Sequence, residues 1–500
     1  MTWREYHEAT KHTDQSLRRA PHTLDWANMP DPFRHYEGVP VLDLPADPPA
    51  PTIPALELLQ GRAGNTTAAD GPTFLSELLF YSASISATKR VPSTGYQYAL
   101  RVNPSSGNLH PTEFHFTTHG LKEWPDGLYH YRPSSHMAEQ RASGNLEVGL
   151  AGGPAPIEIV LTSIAWREAW KYRDRAYRYC LHDIGHAWQC VSLAARAMGC
   201  DTFASGDFDD DEVARLCRLN EDERPMLVIK VAEKTIPACA ANGGEATWFG
   251  GTANQLSSSQ IVYPLIDAIH AATKPRGASG MTAIRGAVHG SGSIKVPAPA
   301  STNLHFGEVS RRRRSALDFR GGTSSMSLEQ LSAILASASQ PFTADFAGSP
   351  FVQLYLYAHR VSGLEPGVYC YWPEHGELEL IRSGDQRVAA AGLSLGQDLA
   401  GNACVAFSMI ADLERAVECY GDRAYRYVHF EAGAIGQRLY LSAEAVGLGA
   451  TGIGAFFDDK VHTYLNIGPH QGQVIYHFAI GYPVPDPRLG GADDRFSSVA

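Results

Sequence analysis

Two short stretches of the sequence carry side chains that could do chemistry. Lys171 and Tyr172 are adjacent, and an amine and a phenol can pass protons when burial adjusts their affinity for them. A basic run, Arg311–Arg314, is followed by Ser315, and guanidiniums beside a hydroxyl can hold a phosphate through charge-assisted hydrogen bonds. Taken alone, each has a plainer interpretation, the lysine as an exposed residue where a helix starts and the arginines as a solvated surface run.

A third stretch, NPSSGNLHPTEF at 103–114, is a turn-rich loop that runs into a strand. Its serines, asparagine and glycine offer hydroxyls and unobstructed backbone groups that could face a flat polar heterocycle. The same composition is typical of an ordinary loop, so this stretch indicates a site only together with the others.

Three other patterns resemble binding motifs but favour structural roles. GLGATG at 447–452 matches G-x-G-x-x-G, yet it follows a predicted helix, which indicates a helix C-cap and not a dinucleotide site. The acidic run DFDDDE at 207–212 lacks the glycine and distal glutamate of a calcium loop and predicts a solvated helix start. His182 and His186 are one helical turn apart without a thiolate or HExxH partner, so we predict no metal site.

The composition argues against several classes of protein. A length of 500 residues suits two or three domains, and 44% hydrophobic with 19% charged residues is typical of globular proteins. A net charge of −11 argues against nucleic-acid binding, which needs clustered Lys and Arg. The eight cysteines include no C-x-x-C pair, which predicts reduced thiols, and no stretch resembles a signal peptide or a membrane span. We therefore expect a cytoplasmic protein without a membrane partner.

An internal duplication supplies the elements that must position these residues. The hexapeptide DRAYRY occurs at 174–179 and again at 422–427. Aligning 174–213 with 422–461 without a gap leaves 17 of 40 positions identical. A shared ancestor explains this better than chance, so the chain contains two related units.

Both copies have the same predicted order of elements, which is a hairpin, an apolar strand, a long helix after DRAYRY and a closing strand. The hairpins and strands are 114–131, 157–164 and 226–232 in the first copy and 354–371, 403–410 and 474–483 in the second. Strands that return to one sheet flanked by helices indicate an α+β fold class.

Composition divides the chain into four parts. These are an N-terminal arm (1–60), a first unit (61–235), a bridging segment (236–302) and a second unit (303–500). The bridge is rich in Gly, Ser and Pro and encloses one predicted helix at about 261–273.

In this order, the motifs resemble those of the nitroreductase superfamily of flavin enzymes, and most closely its SagB/ThcOx (McbC-like) branch, the azoline dehydrogenases. Arg313-Arg314-Ser315 with Phe319 resembles the superfamily's phosphate-binding motif, and Pro104–Pro111 resembles its flavin loop. Lys171–Arg178 resembles the segment with the branch's catalytic Lys-Tyr pair. The resemblance spans nearly the whole chain. It implies two tandem nitroreductase-like, FMN-dependent units that form a pseudo-dimer within one chain.

In that superfamily FMN lies at the interface of two subunits, so a tandem chain has two candidate interfaces. When the two units are matched position by position, each one lacks motif residues that the other has. The mismatches are Lys171-Tyr172 against Cys419-Tyr420, 104–108 against 344–348, and Arg311–Ser315 against a stretch that holds only Arg62. The resemblance therefore implies one competent FMN site and one decayed site.

The competent site that the resemblance implies draws on both units. The residues expected to bind FMN are Pro104, Ser105, Ser106, Gly107, Asn108, Arg313, Arg314, Ser315, Gln397, Gly452, Ile453, Gly454 and Arg488. Lys171 and Tyr172 are expected to be catalytic, with one of them accepting a proton.

The activity implied is that of an FMN-dependent oxidoreductase, specifically a dehydrogenase that oxidises thiazolines or oxazolines. One alternative is an NAD(P)H-dependent nitro or quinone flavin reductase, which needs no lysine base. Another is a non-catalytic flavin- or peptide-binding protein. The substrate is expected to be a small molecule or a peptide, and further association of chains is left open.

Overall fold

The computed structural model of the chain describes residues 1–19, 23–65, 71–146, 148, 155–232, 246–274, 290–346, 351–468 and 470–489. Up to Ala232 its helices and strands are α1 (Trp3–Ala9), α2 (Asp14–Arg19), β1 (Tyr36–Glu37), β2 (Val41–Asp43), α3 (Ala55–Leu59), α4 (Gly71–Phe80), β3 (Ile85–Arg90), β4 (Gln97–Arg101), β5 (Thr112–Thr118), β6 (Gly127–Arg132), β7 (Met137–Ser143), β8 (Ile157–Ile164), α5 (Ala165–Tyr172), α6 (Ala176–Ala197), β9 (Asp201–Ser205), α7 (Asp210–Leu216) and β10 (Glu223–Ala232).

The remainder of the described chain continues the same alternation. Its elements are β11 (Thr247–Trp248), β12 (Thr252–Ala253), α8 (Pro264–Ala272), β13 (Ile294–Lys295), α9 (Phe306–Arg312), β14 (Met326–Ser327), α10 (Leu328–Ala338), β15 (Val352–Ala358), β16 (Val361–Ser362), β17 (Gly367–Trp372), β18 (Glu377–Ser383), α11 (Arg387–Leu393), α12 (Asp398–Asn402), β19 (Val405–Ala411), α13 (Leu413–Tyr420), α14 (Ala424–Ala445), β20 (Gly449–Ile453), α15 (Asp458–Leu465) and β21 (Gln473–Gly481).

Two large sheets share one strand order, which confirms the duplication and the α+β class. The first runs β11-β7-β6-β5-β8-β10-β9, with β2 added beside β7, and the second runs β13-β18-β17-β15-β19-β21-β20. Neighbouring strands are antiparallel throughout both sheets. Every residue of β8 is buried, which explains why its mostly apolar sequence, IEIVLTSI, does not alternate apolar with exposed polar residues.

The long helices α6 and α14 join the two units by crossing at a pair of glycines. A Cβ added to Gly185 would lie 2.2 Å from the carbonyl oxygen of Phe430, and one added to Gly433 would lie 2.1 Å from that of His182. The two backbones therefore approach more closely than any larger residue permits. Nearly every residue of both helices is buried, because each packs on the other and on strands of its own sheet.

The two DRAYRY copies form matching ion pairs across this interface. From the first copy, Arg175 and Arg178 pair with Asp458 of the second unit at 3.0 and 2.9 Å. In the second copy the arginines at 423 and 426 pair with Asp210 of the first unit, at 2.8 and 2.7 Å. Burial pushes the pKa of Asp458 up, but the two guanidiniums hold it below its usual value. The repeated hexapeptide is thus a reciprocal clamp between the units.

The first 60 residues contact both units. Strand β2 extends the first sheet, and Arg34 pairs with Asp222 of the first unit at 2.9 Å. Lys11 pairs with Asp459 of the second unit at 2.9 Å, and the backbone N–H of His12 donates to Asp458. The predicted arm is therefore built into both halves of the fold.

Three expectations on local structure have distinct outcomes. The glycines after α14 do follow a helix and lead into β20, and Gly447 has the positive φ of a C-cap. The acidic run does start helix α7, but the prediction of a solvated start is wrong at Asp210, which is buried under two arginines of the other unit. Bridge residues 275–289 lie outside the described part; the predicted bridge helix is α8.

Cysteines and helices bear on two further expectations. The cysteines within the described residues are free thiols, and all but Cys419 are buried. Across the same residues, the helices include none whose length and apolar character would let it cross a bilayer. Groups of three or more His, Cys, Asp or Glu placed to hold a metal ion are likewise absent from that part of the chain.

Candidate functional site

The Lys171-Tyr172 pair and the loop at 104–108 meet at Gly107. Helix α5 ends at Tyr172, so both side chains project from its last turn. Gly107 has a φ of 60° and is exposed; a Cβ at this position would lie 2.6 Å from the Tyr172 hydroxyl and 3.2 Å from Nζ of Lys171. Only glycine fits at position 107 beside these two side chains. The structure therefore brings together two stretches that are separate in sequence.

Two buried carboxyl groups anchor the loop at 104–108. The backbone N–H and the hydroxyl of Ser106 donate to Asp183 on α6, at 3.1 and 3.2 Å. The hydroxyl of Ser105 donates to Glu168 on α5 at 3.4 Å, and the side-chain amide of Asn108 donates to the carbonyl of Ala99. Pro104 is buried at the base of the loop. Most of the loop's polar groups therefore form hydrogen bonds that fix the loop's own conformation.

Arg313 reaches across the interface to the strand that precedes this loop. Its Nε and Nη2 donate to the carbonyls of Val102 and Arg101, both at 3.1 Å, and its guanidinium lies over the ring of Tyr440. The side chain is 4% exposed. These contacts indicate that Arg313 fixes the position of the other unit's loop. At most one edge of its guanidinium can face a ligand.

Arg314 is the better candidate for an anion. Its guanidinium donates to the hydroxyl and carbonyl of Ser86 at 3.1 and 2.8 Å, and among the described residues no carboxylate pairs with it. Burial, followed by the charges of Arg313 and Arg311, lowers its pKa to about 9. A half-buried guanidinium with an uncompensated charge is a site that an anion stabilises.

Tyr440 connects the phosphate motif to the backbone at 452–454. Its hydroxyl lies 2.8 Å from that of exposed Ser315 and accepts from the N–H of Gly452 at 2.9 Å. A Cβ on Gly452 would lie 2.1 Å from the hydroxyl of Tyr476. This close packing against the strand explains why position 452 is glycine.

Gln397, Ile453 and Gly454 complete the second unit's side of the interface. The amide of Gln397 donates to the carbonyls of Ser394 and Ala455, at 2.8 and 3.1 Å. The carbonyl of Gly454 accepts from the hydroxyl of Tyr179, while Ile453 is buried in β20. Gln397 therefore adjoins the predicted glycine stretch, and its role in binding FMN remains a prediction.

Arg488 lies beside a hairpin of the first unit. It binds Asp486 through two nitrogens at 2.9 Å, and its carbonyl accepts from the N–H of Arg90. Asp486 also binds Lys89 at 2.8 Å, and Lys89 is influenced by the charges of both Arg488 and Arg314. The cations at positions 89, 314 and 488 thus share one corner of the interface.

Tyr172 and Lys171 differ in what they can do with a proton. Burial, and then the neighbouring Glu168, raises the pKa of Tyr172 well above its ordinary value, so its phenol stays protonated near neutral pH and can only donate. Lys171 is half-buried and lies 5.2 Å from the Tyr172 ring centroid. Tyr172 is therefore unsuited to the role of base, and that role remains a prediction for Lys171.

At the mirror-related interface, side chains fill the corresponding space. Asp345 accepts the N–H groups of Gly206 and Asp207 at 2.9 and 3.1 Å. Phe346 stacks on Tyr427 at 4.4 Å between centroids and is 3% exposed. A Cβ on Gly206 would already touch both rings. Arg62 is exposed and pairs with Glu57, so it makes no contribution at this interface.

The sequence profile of the nitroreductase family matches residues 94–232 and 311–482, which together make up more than half of the chain. The protein belongs to this family, once in each unit, and is a nitroreductase-like oxidoreductase.

Known relatives agree with this assignment. A protein of Methanocaldococcus jannaschii named as a nitroreductase (MJ1384) is 31% identical over 182 residues, which is 35% of this chain and 91% of that protein. The microcin B17-processing protein McbC of Escherichia coli is 27% identical over 143 residues, 26% of this chain and 53% of McbC. A solved structure from Anabaena variabilis, titled as a nitroreductase, has a TM-score of 0.77 at 27% identity, covering 96% of this chain and 99% of that one.

Several residues at the interface were missed by the sequence reasoning. Glu168, Asp183 and Tyr440 support the predicted residues from behind, and Ser86 and Lys89 come from a hairpin without a recognisable motif. For Glu168 and Tyr440 a signal was present, because the second copy has alanine and the first copy has serine at the matching positions. The hairpin residues had no such signal.

Proposed function

We propose that the protein is an FMN-dependent oxidoreductase with one competent flavin site, at the interface that holds Lys171. The observation that carries this proposal is that Arg314 and Arg488 of the second unit contact the β3–β4 hairpin of the first unit, which leads into the loop whose Gly107 adjoins Lys171. The other interface has Phe346 and Asp345 in the corresponding space.

The residues present suit FMN. The guanidinium of Arg314 is half-buried and, among the described residues, has no carboxylate partner. Together with the exposed hydroxyl of Ser315 and the nearby Arg488 it matches a phosphate. The exposed glycine at 107 leaves space where a Cβ would close the gap to Tyr172, which suits the approach of a flat ring to the backbone. When bound, FMN would supply the chemistry of hydride acceptance, which no side chain can provide.

With FMN bound, the chain's own residues would hold the cofactor, orient the substrate and move a proton. Arg313 would keep the flavin loop in register through the carbonyls of Arg101 and Val102. Lys171 would accept the proton that leaves the substrate atom next to the oxidised carbon, and the phenol of Tyr172 would donate a hydrogen bond to the substrate. A base must lie within hydrogen-bond reach of the proton it removes, and exposed Gly107 beside Nζ leaves that approach open.

Similarity to McbC supports a dehydrogenase of the thiazoline- or oxazoline-oxidising type, acting on a peptide. The matched segment spans only about half of McbC, so this substrate class is part of the proposal. An NAD(P)H-dependent nitro or quinone reductase is the second candidate, favoured by the similarity to proteins named nitroreductase. The two candidates differ in whether turnover needs Lys171.

The flavin content of the purified protein tests the cofactor and the number of sites. We expect a flavin absorption spectrum and about one FMN per chain. Arg314→Ala should lower the FMN retained after gel filtration by at least about tenfold, because a charged hydrogen-bond partner is lost. Arg312→Ala is the matched control, since Arg312 is exposed and pairs with Glu308. Two FMN per chain, or equal loss in both variants, would contradict the proposed site.

A second experiment separates the two candidate reactions. Lys171→Met should retain FMN but lose about 100-fold or more in the rate at which a thiazoline peptide reduces the flavin, because general-base catalysis typically contributes that much. Cys419→Ala, at the matching position of the other interface, should have no effect. If Lys171→Met reduces its flavin with the peptide at the wild-type rate, or only NAD(P)H reduces the wild-type protein, the dehydrogenase assignment is wrong.

A further inference from the structure

Arg173, which directly follows Lys171 and Tyr172, has a backbone conformation that arginine rarely adopts. Its φ is 52° and its ψ is −138°, and its N–H closes helix α5 by donating to the carbonyl of Ala169. Steric contacts of Cβ with the backbone disfavour this combination for every residue that has a side chain, and turns that require it normally use glycine. The arginine therefore lowers the stability of the fold, and strain of this kind is concentrated at functional sites.

The second unit has glycine at the matching position. Gly421 ends helix α13 with a φ of 61° and a ψ of −162°, and its N–H donates to the carbonyl of Val417. The two helices therefore end in the same way, with strain in the first unit and without it in the second. Among the described residues, a Cβ on Gly421 would have no atom beyond its chain neighbours within 4 Å. The backbone angles, and not a lack of space, account for this glycine.

The arginine occurs in the unit that has the predicted catalytic lysine, since the position of Lys171 is Cys419 in the second unit. Two residues separate Lys171 from Arg173 along the chain, so their Cα atoms are at most about 7 Å apart. Arg173 is half-buried, and the turn at 173–175 packs against helix α8. A group bound by its guanidinium would therefore be about one residue along a peptide from the atom that Lys171 would deprotonate.

We propose that Arg173 is a specificity-determining residue that binds an acidic side chain of a peptide substrate, an inference that rests on the proposed function. A guanidinium presents a planar set of N–H donors that match a carboxylate, and such a pair is stronger than a neutral hydrogen bond. The net charge of −11 repels an acidic peptide at long range, so its recognition needs a cation at the site. The substrate class is a peptide with Asp or Glu next to the ring that is oxidised.

Thermal unfolding distinguishes this role from a structural one. Replacing a residue that supports the fold lowers the unfolding midpoint, whereas Arg173→Gly should raise it by about 2–4 °C, because the backbone strain is relieved. Gly421→Arg is the matched control. It introduces the same strain at the other interface and should lower the midpoint by a similar amount. Neither measurement depends on bound FMN.

Two thiazoline peptides with amidated C-termini, one with Asp and one with Asn beside the ring, test the specificity. By fluorescence anisotropy, wild-type protein should bind the Asp peptide about tenfold more tightly, because the carboxylate gains a charged hydrogen-bond partner. Arg173→Gly should bind both peptides alike, and Arg173→Lys should keep part of the preference. Gly421→Arg should keep all of it. The rate of flavin reduction at low peptide concentration should follow the same order.

Three results would each overturn the inference: a midpoint that does not rise in Arg173→Gly, equal binding of the two peptides by wild-type protein, or an unchanged preference in Arg173→Gly. Failure of the proposed function looks different. In that case the Asp peptide would still bind preferentially, and the preference would still depend on Arg173, but neither peptide would reduce the flavin.

Discussion

The reciprocal clamp makes a quantitative prediction for Asp458→Asn. The carboxylate is fully buried and accepts from Arg175, Arg178 and the N–H of His12, at distances between 2.9 and 3.2 Å. Replacing it with an amide leaves two buried guanidiniums without a counter-charge. Breaking such a pair costs about 3–5 kcal/mol, against a total stability of about 5–15 kcal/mol for a typical domain.

That cost should appear in thermal unfolding followed by circular dichroism. If each unit unfolds as a block of about 200 residues, 3–5 kcal/mol lowers the midpoint by about 6–20 °C. Asp459→Asn is the matched control, because Asp459 is 62% exposed and its pair with Lys11 is worth at most about 1 kcal/mol. Asp210→Asn, which breaks the other half of the clamp, should destabilise as much as Asp458→Asn.

The clamp also gives the direction of the pH dependence. Because the pKa of Asp458 is lowered in the folded state, its contribution to stability is present above the ordinary aspartate pKa of about 4 and is lost as the pH falls through the lower folded value. Equal, small midpoint shifts for Asp458→Asn and Asp459→Asn at pH 7 would refute the assignment of a buried, structural charge.

Three further substitutions test other parts of the structure. Gly185→Ala places a Cβ 2.2 Å from the carbonyl oxygen of Phe430 and should lower the unfolding midpoint, since overpacking costs about 1–3 kcal/mol. Gly107→Ala places a Cβ 2.6 Å from the Tyr172 hydroxyl at a φ of 60°, so we expect less FMN per chain by absorbance together with a lower midpoint. Asp345→Ala acts at the filled interface and should leave the FMN content unchanged; a gain of a second FMN would contradict the description of that interface.

Much of the fold could be predicted because the sequence contains the same order of elements twice. The order hairpin, strand, helix, strand recurs in both copies, and the strand order of the two sheets follows it. The fate of Asp210 could not be predicted, because an acidic run on a helix start gives no sign that two arginines from the other unit cover it. Local patterns report a residue's own element, whereas its burial depends on the element that packs against it.

The candidate site, too, could be predicted only in part from the sequence. Gly107 and the Lys171-Tyr172 pair come from recognisable stretches, and the structure places them in contact. Arg313 also comes from a motif, yet its donors are directed to backbone carbonyls. Its phosphate-binding role remains a prediction. Lys89 was missed because a lysine in a short hairpin has no pattern that would connect it to a residue 397 positions later, Asp486.

The contacts of the first helix also constrain the order in which the chain assembles. Trp3 and Tyr6 are buried in the finished protein, and the N–H of His12 binds Asp458, 446 residues further along. At about 5–20 residues per second, a ribosome needs roughly 20–90 s to make that stretch. During this time the segment can contact the first unit, where Tyr6 donates to the carbonyl of Asp174 and Arg178 donates to the carbonyl of His7, but its partners in the second unit are incomplete. Its contact with Asp458 is therefore made late in folding, and a chain arrested before Asp458 would lack this contact while keeping those of Tyr6 with Tyr177 and Asp174.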